Sequence, residues 1–226
     1  GRAPDMSEAA AAAMRAALGQ LMAVNDLFLY AGNRSEMLEH LNSSFASAKA
    51  PPGGWMVDEA VEGLAKRMGV PAPSAGPWLQ MLCEVIEQLP FAMLVTDMRV
   101  PGLPIFYCNE AMVKLTGYDK GEIYGRNCRF LQGPRTEAAA IREMVVAVRT
   151  ATATTVRVTN YRRDGSTFTN AVTLSPVHDS SGVYRYSIGL LSDAANSVSD
   201  GAVLDVLRAS LPKSMRADAQ PPAYDE

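Results

Sequence analysis

The chain has 226 residues and a formal net charge of −3, which is enough sequence for one domain with extensions or for two small domains. The mild acidity argues against direct nucleic-acid binding, which usually requires a basic face. No run of about 18 apolar residues is present, and no basic stretch leads into an apolar one at the start, so we expect neither a membrane span nor a secretory signal.

The N-terminal third predicts helices followed by a linker. Apolar residues at helical spacing between 7 and 48 predict one or two helices, and a further helix is expected at about 57–68. The stretch VPAPSAGP then reads as a linker. We therefore assign 1–77 to an N-terminal helical region with its linker, and 78–90 to a helix that leads into the next domain.

Residues 91–194 change character and predict a domain of their own. Their pattern is β-β-α-α-α-α-β-β-β, with a strong hairpin-turn signal at Asp164-Gly165. Strands at both ends with helices between them predict an α+β fold, in which one five-stranded antiparallel sheet carries short helices on one face. The remainder, 195–226, predicts a helix near 200–211 and then a disordered tail.

Three cysteines and two histidines are the residues with obvious metal or nucleophile chemistry. The sparse, odd number of cysteines favours free thiols in a reducing, cytoplasmic compartment. His40 and His178 lie far from each other and from any cysteine in sequence, so we predict no metal site.

The stretch GRNCRFLQG at 125–133 sets Cys128 beside an arginine and close to a glutamine. A lone cysteine is usually a small buried hydrophobe. A cysteine nucleophile needs a base, and no histidine lies nearby in sequence, although a distant one could reach the thiol. A helical turn would place Cys128, Leu131 and Gln132 on one face.

These nine residues resemble the signature of light-oxygen-voltage (LOV) photosensors, a branch of the PAS domains. The resemblance covers about 91–193. It continues through LTGY (115–118), NYRRDG (160–165), FTN (168–170), LSPVHD (174–179) and YSIG (186–189).

The resemblance implies a photoreceptor module rather than an enzyme. It implies a non-covalently bound flavin, usually FMN, with FAD and riboflavin as alternatives. Blue light would drive the sulfur of Cys128 onto flavin carbon C4a, and the adduct would decay in the dark. The excited flavin supplies the reactivity, because the cofactor carries the difficult chemistry.

The flavin-binding residues follow from the same resemblance. Asn160 and Asn170 are expected to turn inward and bind the polar edge of the ring, because an amide offers both donor and acceptor. Arg129 is expected to bind the phosphate. Besides Cys128, we expect the flavin site to include Thr96, Asn109, Asn127, Arg129, Leu131, Gln132, Arg142, Val145, Asn160, Asn170, Val172, Leu174, Gly189 and Leu191.

Two positions depart from the family pattern. The last strand usually carries a glutamine that responds when flavin N5 is protonated, and Leu191 stands there instead. Many relatives carry a second arginine on the long helix where this chain has Val145. Arg142 lies one turn earlier, and we expect it to substitute.

The opposite face of the sheet is also apolar, and such a face is rarely left in water. We expect the helix at 78–89, the helix at 200–211 or a second subunit to cover it. A signal would pass through these helices or through dimer contacts to an effector outside the chain. The alternatives are a flavin-dependent redox enzyme, which no nicotinamide-binding glycine motif supports, and a light-independent PAS module for ligand binding or dimerisation.

Overall fold

A computed structural model of the chain describes residue 50, residues 53–195 and residues 201–215. The helices predicted between 7 and 48 and the disordered tail predicted after 216 lie outside the described residues. The remaining predicted helices and strands fall within the described residues.

Five strands form one antiparallel sheet with the order β2-β1-β5-β4-β3. The first and last strands in sequence are therefore neighbours at its centre, and the predicted α+β fold is confirmed. The strands are β1 (Ala92–Asp97), β2 (Ile105–Cys108), β3 (Thr154–Tyr161), β4 (Thr167–His178) and β5 (Tyr184–Asp193).

The helices occupy both sides of this sheet. Among the described residues, two helices precede the sheet, three short or medium helices and a 3₁₀ turn lie between β2 and β3, and one helix follows β5. They are α1 (Glu59–Met68), α2 (Trp78–Glu87), α3 (Glu110–Thr116), α4 (Lys120–Ile123), the 3₁₀ turn (Cys128–Leu131), α5 (Ala138–Thr150) and α6 (Gly201–Ser210).

The helix ends follow local sequence signals. Oδ1 of Asp58 accepts hydrogen bonds from the first-turn amides of α1, and Gly69 ends that helix in the left-handed conformation, which glycine adopts without a Cβ penalty. Asn109 caps α3 in the same way, and Gly117 ends it. These signals fix short helices that could not persist alone.

The outer face of the sheet forms the largest apolar core, together with α1, α2 and α6. The Trp78 ring of α2 stacks on Tyr186 of β5, with 5.9 Å between centroids and 6° between planes. Nε of Arg208 on α6 donates to Oγ1 of Thr173 on β4 at 3.0 Å. Both helices predicted to cover this face therefore do so, and α1 packs with them.

The segment after α6 fastens that helix to the end of β4. The amide of His178 donates to the carbonyl of Lys213 at 3.0 Å, and the amide of Met215 donates back to the carbonyl of His178 at 2.9 Å. Nε of Arg67 on α1 also donates to Oγ of Ser210 at 2.8 Å. Backbone and side-chain contacts thus hold α1, α6 and β4 together.

Candidate functional site: a cavity on the inner face of the sheet

A cavity of about 320 Å³ lies between the inner face of the sheet, the 3₁₀ turn and α5. This volume lies within the range of small-molecule sites, which are concave and largely apolar with a few polar groups. The lining residues are Leu94, Thr96, Met98, Leu103, Asn127, Cys128, Arg129, Leu131, Gln132, Ile141, Met144, Val145, Val148, Arg149, Val158, Asn160, Val172, Leu174, Ser187, Gly189 and Leu191.

The geometry of the 125–133 stretch has local causes. Gly125 takes a φ of 78°, which favours glycine, and its amide donates to the carbonyl of Ile105 at 2.8 Å. Oδ1 of Asn127 accepts from the amide of Arg129 at 3.1 Å, while its Nδ2 donates to the carbonyl of Gly102 at 2.7 Å. This asparagine therefore caps the 3₁₀ turn and ties it to the β1–β2 loop.

The last glycine of the stretch allows an aromatic ring to approach the backbone. A Cβ at Gly133 would lie only 2.5 Å from Cε2 of Tyr161. The Tyr161 hydroxyl accepts from the amide of Arg135 at 2.9 Å. The chain leaving the 3₁₀ turn is thereby held against the end of β3.

The loop before α5 is fixed to β3 by a carboxylate. Glu137 accepts from the amide of Thr159 at 2.6 Å and from its hydroxyl at 2.7 Å. The bond from the Thr159 amide is the main cause that lowers the pKa of Glu137, since it favours the charged form. These contacts set the position of α5 over the cavity.

Cys128 presents its thiol to the cavity. The residue is exposed, and that exposure is on the cavity wall. The surrounding protein atoms desolvate the thiol and so raise its pKa. The positive charge of the nearby Arg129 guanidinium lowers the pKa, but only partly offsets that rise. The thiol is therefore protonated at neutral pH. No histidine is among the lining residues, so an ordinary base-activated nucleophile finds no support.

Amide groups occupy the end of the cavity formed by β3 and β4. Asn160 lines the cavity, and its Oδ1 accepts from Nδ2 of Asn170 at 2.8 Å. Oδ1 of Asn170 accepts from the amide of Ser192 at 3.2 Å. Gln132 brings a further side-chain amide from the end of the 3₁₀ turn.

The floor of the cavity is apolar in its middle. Leu191 pairs with Val172 on β4, and Gly189 pairs with Leu94 on β1. A Cβ at Gly189 would lie 2.9 Å from Cδ1 of Leu94. A side chain at this glycine would therefore take space from the cavity or displace the leucine. A ligand with a flat apolar ring and one polar edge would fit this cavity, because the cavity floor is apolar and its β3–β4 end carries amides.

Most of the predicted site residues lie on this one cavity. Besides Cys128, the lining includes Thr96, Asn127, Arg129, Leu131, Gln132, Val145, Asn160, Val172, Leu174, Gly189 and Leu191.

Three predicted positions lie outside the cavity lining. Asn109 does not line the cavity, because its side chain accepts from the Met93 amide and donates to the carbonyl of Ile86, which fastens α2 to β1. Asn170 lies behind Asn160 rather than on the cavity surface. Arg142 is exposed and lies outside the lining.

Arg142 lies outside the cavity lining for a geometric reason. The stripe of α5 that faces the cavity runs through Ile141, Met144, Val145 and Val148. One residue is about 100° of helical rotation, so Arg142 turns away from the position of Ile141. Arg149, one turn after Val145, lines the cavity instead.

The sequence interpretation missed several lining residues. Met98 and Leu103 belong to the β1–β2 connection, for which no periodic signal exists. The α5 stripe was visible as an amphipathic pattern, but such a pattern does not distinguish helix-to-sheet packing from a cavity wall. The lining residues outside the predicted set include Met98, Leu103, Ile141, Met144, Val148, Arg149 and Val158.

Two further properties concern only the described ranges, 50, 53–195 and 201–215. They contain no cluster of three or more potential metal ligands from His, Cys, Asp and Glu. They also contain no helix with the length and apolarity needed to span a membrane.

Comparison with known proteins places the sheet and cavity in a family. Residues 90–194 match the sequence model described as the PAS domain. The chain is 44% identical over 103 residues to a blue-light-activated histidine kinase of Rhizobium johnstonii, covering 46% of this chain and 30% of that protein. It is 37% identical over 121 residues to Phototropin-1A of Oryza sativa subsp. japonica, covering 54% of this chain and 13% of that protein.

A solved structure is similar to about the same part of this chain. The LOV domain of a blue-light activated histidine kinase from Erythrobacter litoralis shares 34% identity, with a TM-score of 0.46, over 47% of this chain and 98% of that one.

Residues 90–194 thus form a PAS domain. Within that superfamily, the 125–133 stretch and the sequence relatives place it among the LOV photosensor domains, so the resemblance found in the sequence is confirmed. The chain spans only 13% and 30% of the two relatives named above.

Proposed function

We propose that this chain is a blue-light photoreceptor module that binds a flavin in the inner-face cavity and forms a reversible bond between Cys128 and flavin carbon C4a. One observation carries the proposal: the cysteine thiol of Cys128 is exposed on the wall of a cavity that is also lined by side-chain amides. The family membership of residues 90–194 supports it.

The proposed reaction needs no reactant besides the cysteine and the flavin. The S–H bond of Cys128 breaks, an S–C4a bond forms, and the proton goes to flavin N5. In the dark the same steps reverse. The bound flavin supplies the excited state, while the protein holds the thiol and the ring in place.

The lining residues have distinct roles in this proposal. Asn160 and Gln132 offer amide donors and acceptors to the polar edge of the ring, with Asn170 holding Asn160 in position. Leu131, Leu174 and other apolar residues pack against the ring faces. Among the described residues no histidine lines the cavity, and the proposed role needs none, because the thiol requires no prior deprotonation.

FMN is the flavin we propose, with riboflavin and FAD as the alternatives to exclude. Arg129 lines the cavity and can bind a phosphate by charge-assisted hydrogen bonds.

The output of the module is proposed to travel through the helices on the outer face. Both α2 and α6 pack on the sheet whose inner face bounds the cavity. Leu191 cannot donate, accept or reorient as a glutamine would, so another group must respond when N5 is protonated. The Asn160–Asn170 pair is our candidate, since Asn170 also contacts the backbone of β5.

The partners and the sensory, non-catalytic role are proposals of the same kind. A homodimer, or an effector outside this chain, would receive the signal from α2 and α6. The Rhizobium johnstonii relative is named as a histidine kinase, but this chain covers only 30% of it.

A spectroscopic experiment tests the proposed function. The purified full chain, loaded with FMN, is irradiated with blue light and followed by absorption spectroscopy. We expect the flavin absorption to bleach and to recover in the dark. Bleaching that requires NADPH and not light would instead indicate a redox enzyme, and a chain that binds no flavin would indicate a light-independent PAS module.

A further inference from the structure

The back of the 3₁₀ turn carries a contact between one cation and two aromatic rings. The guanidinium carbon of Arg126 lies 4.4 Å from the centroid of the Phe130 ring and 5.8 Å from that of the Tyr118 ring. The two rings meet edge to face, with 5.0 Å between centroids and 84° between planes. A guanidinium is attracted to an aromatic ring face within about 6 Å. The three side chains therefore form one contact, which we call the aromatic clamp.

Arg126 has these rings as neighbours in place of a carboxylate. In the part of the chain that the structure describes, no aspartate or glutamate lies within salt-bridge distance of it. By contrast, Arg163 lies 3.0 Å from Glu122, and Lys120 lies 3.0 Å from Glu87. All three side chains of the aromatic clamp are half-buried, and partial removal of water strengthens a contact of this kind.

Phe130 belongs to the same 3₁₀ turn as Cys128 and points away from the cavity. A 3₁₀ helix has about three residues per turn, so residues three apart lie on one side of it. Cys128 and Leu131 are such a pair and both line the cavity, whereas Phe130 is absent from the lining. Rotation of this short turn about its axis would move the thiol and the Phe130 ring together. The packing of Phe130 therefore limits the positions that the thiol can take.

The other two side chains of the aromatic clamp come from segments that are held elsewhere in the domain. The amide of Ile105 on β2 donates to the carbonyl of Arg126 at 2.8 Å. Tyr118 follows Gly117, the residue that ends α3, and packs with Phe130 against the apolar core around Ile105. The aromatic clamp thus joins the turn that bears the thiol to β2 and to the end of α3.

We propose that Arg126, acting through Phe130, is a positioning residue for the bond between Cys128 and the flavin. The aromatic clamp holds the 3₁₀ turn in the rotation that presents the thiol to the ring. The inference rests on the proposed function, because it concerns how fast the same adduct forms. Reacting atoms that are held in a near-attack arrangement react faster without any new chemical group. A turn of four residues makes few hydrogen bonds of its own, so its direction depends on such outside contacts.

A purely stabilising role for the aromatic clamp is the alternative. Its loss would then lower the free energy of unfolding, but the folded, FMN-loaded molecules would form the adduct at the wild-type rate. A positioning role instead lowers the rate in molecules that still bind FMN. The decisive comparison is therefore between the rate of adduct formation and the Kd for FMN, measured on the same variants.

Flash spectroscopy tests the inference. The full chain is loaded with FMN and excited with a blue laser pulse, and the rise of the adduct is followed by transient absorption. Fluorescence titration gives the Kd for FMN. The variants are Arg126→Ala, Arg126→Lys and Phe130→Leu. The matched control is Arg157→Ala, which removes an exposed arginine of β3 that lies outside the cavity lining.

We expect adduct formation in Arg126→Ala to be slower by roughly two- to fivefold, the size of a half-exposed cation–π contact. The Kd for FMN should stay within about twofold of the wild-type value, because Arg126 does not line the cavity. Phe130→Leu should lose a similar factor, since it keeps an apolar side chain and removes the ring face. Arg126→Lys should recover part of the rate, because an ammonium group is also attracted to the rings. Arg157→Ala should match the wild-type chain.

The contrary results separate the two proposals. If Arg126→Ala and Phe130→Leu form the adduct at the wild-type rate, the inference is wrong and the proposed function stands. An equal slowing in Arg157→Ala would also overturn the inference, since it would reflect the loss of any positive charge. A weakening of FMN binding by the same factor as the rate would overturn it as well, because the flavin itself would then be displaced. If the FMN-loaded wild-type chain forms no adduct, the proposed function fails and the inference falls with it.

Discussion

The two faces of the sheet differ in what completes their packing. On the outer face, Met93 and Ile188 have no exposed surface and lie under α1, α2 and α6. On the inner face, their neighbours in sequence, Leu94 and Gly189, border a cavity of about 320 Å³. The outer core is completed by the chain itself, whereas the inner face leaves room for another molecule.

This difference separates a face that stabilises the fold from a face that can hold a ligand. Protein interiors are close-packed, and few natural cavities exceed the size of a water molecule. A large cavity bounded by an otherwise dense domain therefore indicates a ligand site. The same sheet links both faces, so a change at the inner face can reach the helices on the outer face through β5.

The largest expected effect concerns stability. Leu82 is fully buried in the outer core, so we expect Leu82→Ala to lower the free energy of unfolding by about 3 kcal/mol. Leu174 borders the cavity, so Leu174→Ala should cost only about 1 kcal/mol in the flavin-free chain, because fewer contacts are lost. Urea unfolding of both variants measures this. Equal costs would mean that the inner face is packed like the outer one.

The next effect concerns ligand binding. We expect Gly189→Val to weaken FMN binding by about 100-fold or more, which corresponds to about 2.7 kcal/mol, because the new side chain occupies the cavity and displaces Leu94. Gly121→Ala is the control, since a Cβ there meets no atom within 4 Å. Fluorescence titration with FMN measures both. Unimpaired binding in Gly189→Val would place the flavin elsewhere.

A smaller effect concerns the relative reactivity of Cys128 and Cys108. In the flavin-free chain, Cys128 should react with iodoacetamide at least about tenfold faster than Cys108, which is buried. Because the surrounding protein atoms desolvate the thiol of Cys128 and raise its pKa, although the residue borders the open cavity, its rate should still be rising at pH values above the usual range for a thiol. FMN should protect Cys128. Mass spectrometry of the alkylated peptides would reveal a contrary order or a plateau at lower pH.

The smallest effect concerns the colour of the bound flavin. We expect Leu191→Gln to shift the absorption maximum slightly and to change the lifetime of the adduct, because an amide would lie where Leu191 borders the cavity. Leu191→Met is the apolar control and should change neither by much. Identical spectra for Leu191→Gln and the wild-type chain would show that this side chain does not face the ring.

The sequence predicted the sheet well because its signals are local. The alternation in β3 to β5, the Asp164-Gly165 turn and the apolar stripes of α2 and α6 all depend on neighbouring residues. The central position of β5 beside β1 is a long-range pairing that no local pattern encodes, and the sequence did not predict it.

The site was predictable where a residue lies within the 125–133 stretch or on an inward strand position. Predicted residues lie off the cavity lining where their side chains have other hydrogen-bond partners. Asn109 looked like a cavity residue, yet the carbonyls of Ile86 and Phe91 engage its amide. Asn170 is similarly engaged by its neighbour. The choice between Arg142 and Arg149 depends on how α5 is rotated over the sheet, which tertiary contacts such as Glu137–Thr159 determine.

The most direct test of the account is the light-minus-dark absorption spectrum of the FMN-loaded Cys128→Ala variant, measured beside Cys108→Ala. We expect Cys128→Ala to bind FMN and to show no adduct under blue light, whereas Cys108→Ala should bleach and recover like the wild-type chain. Adduct formation that persists in Cys128→Ala would show that Cys128 is not the reacting thiol.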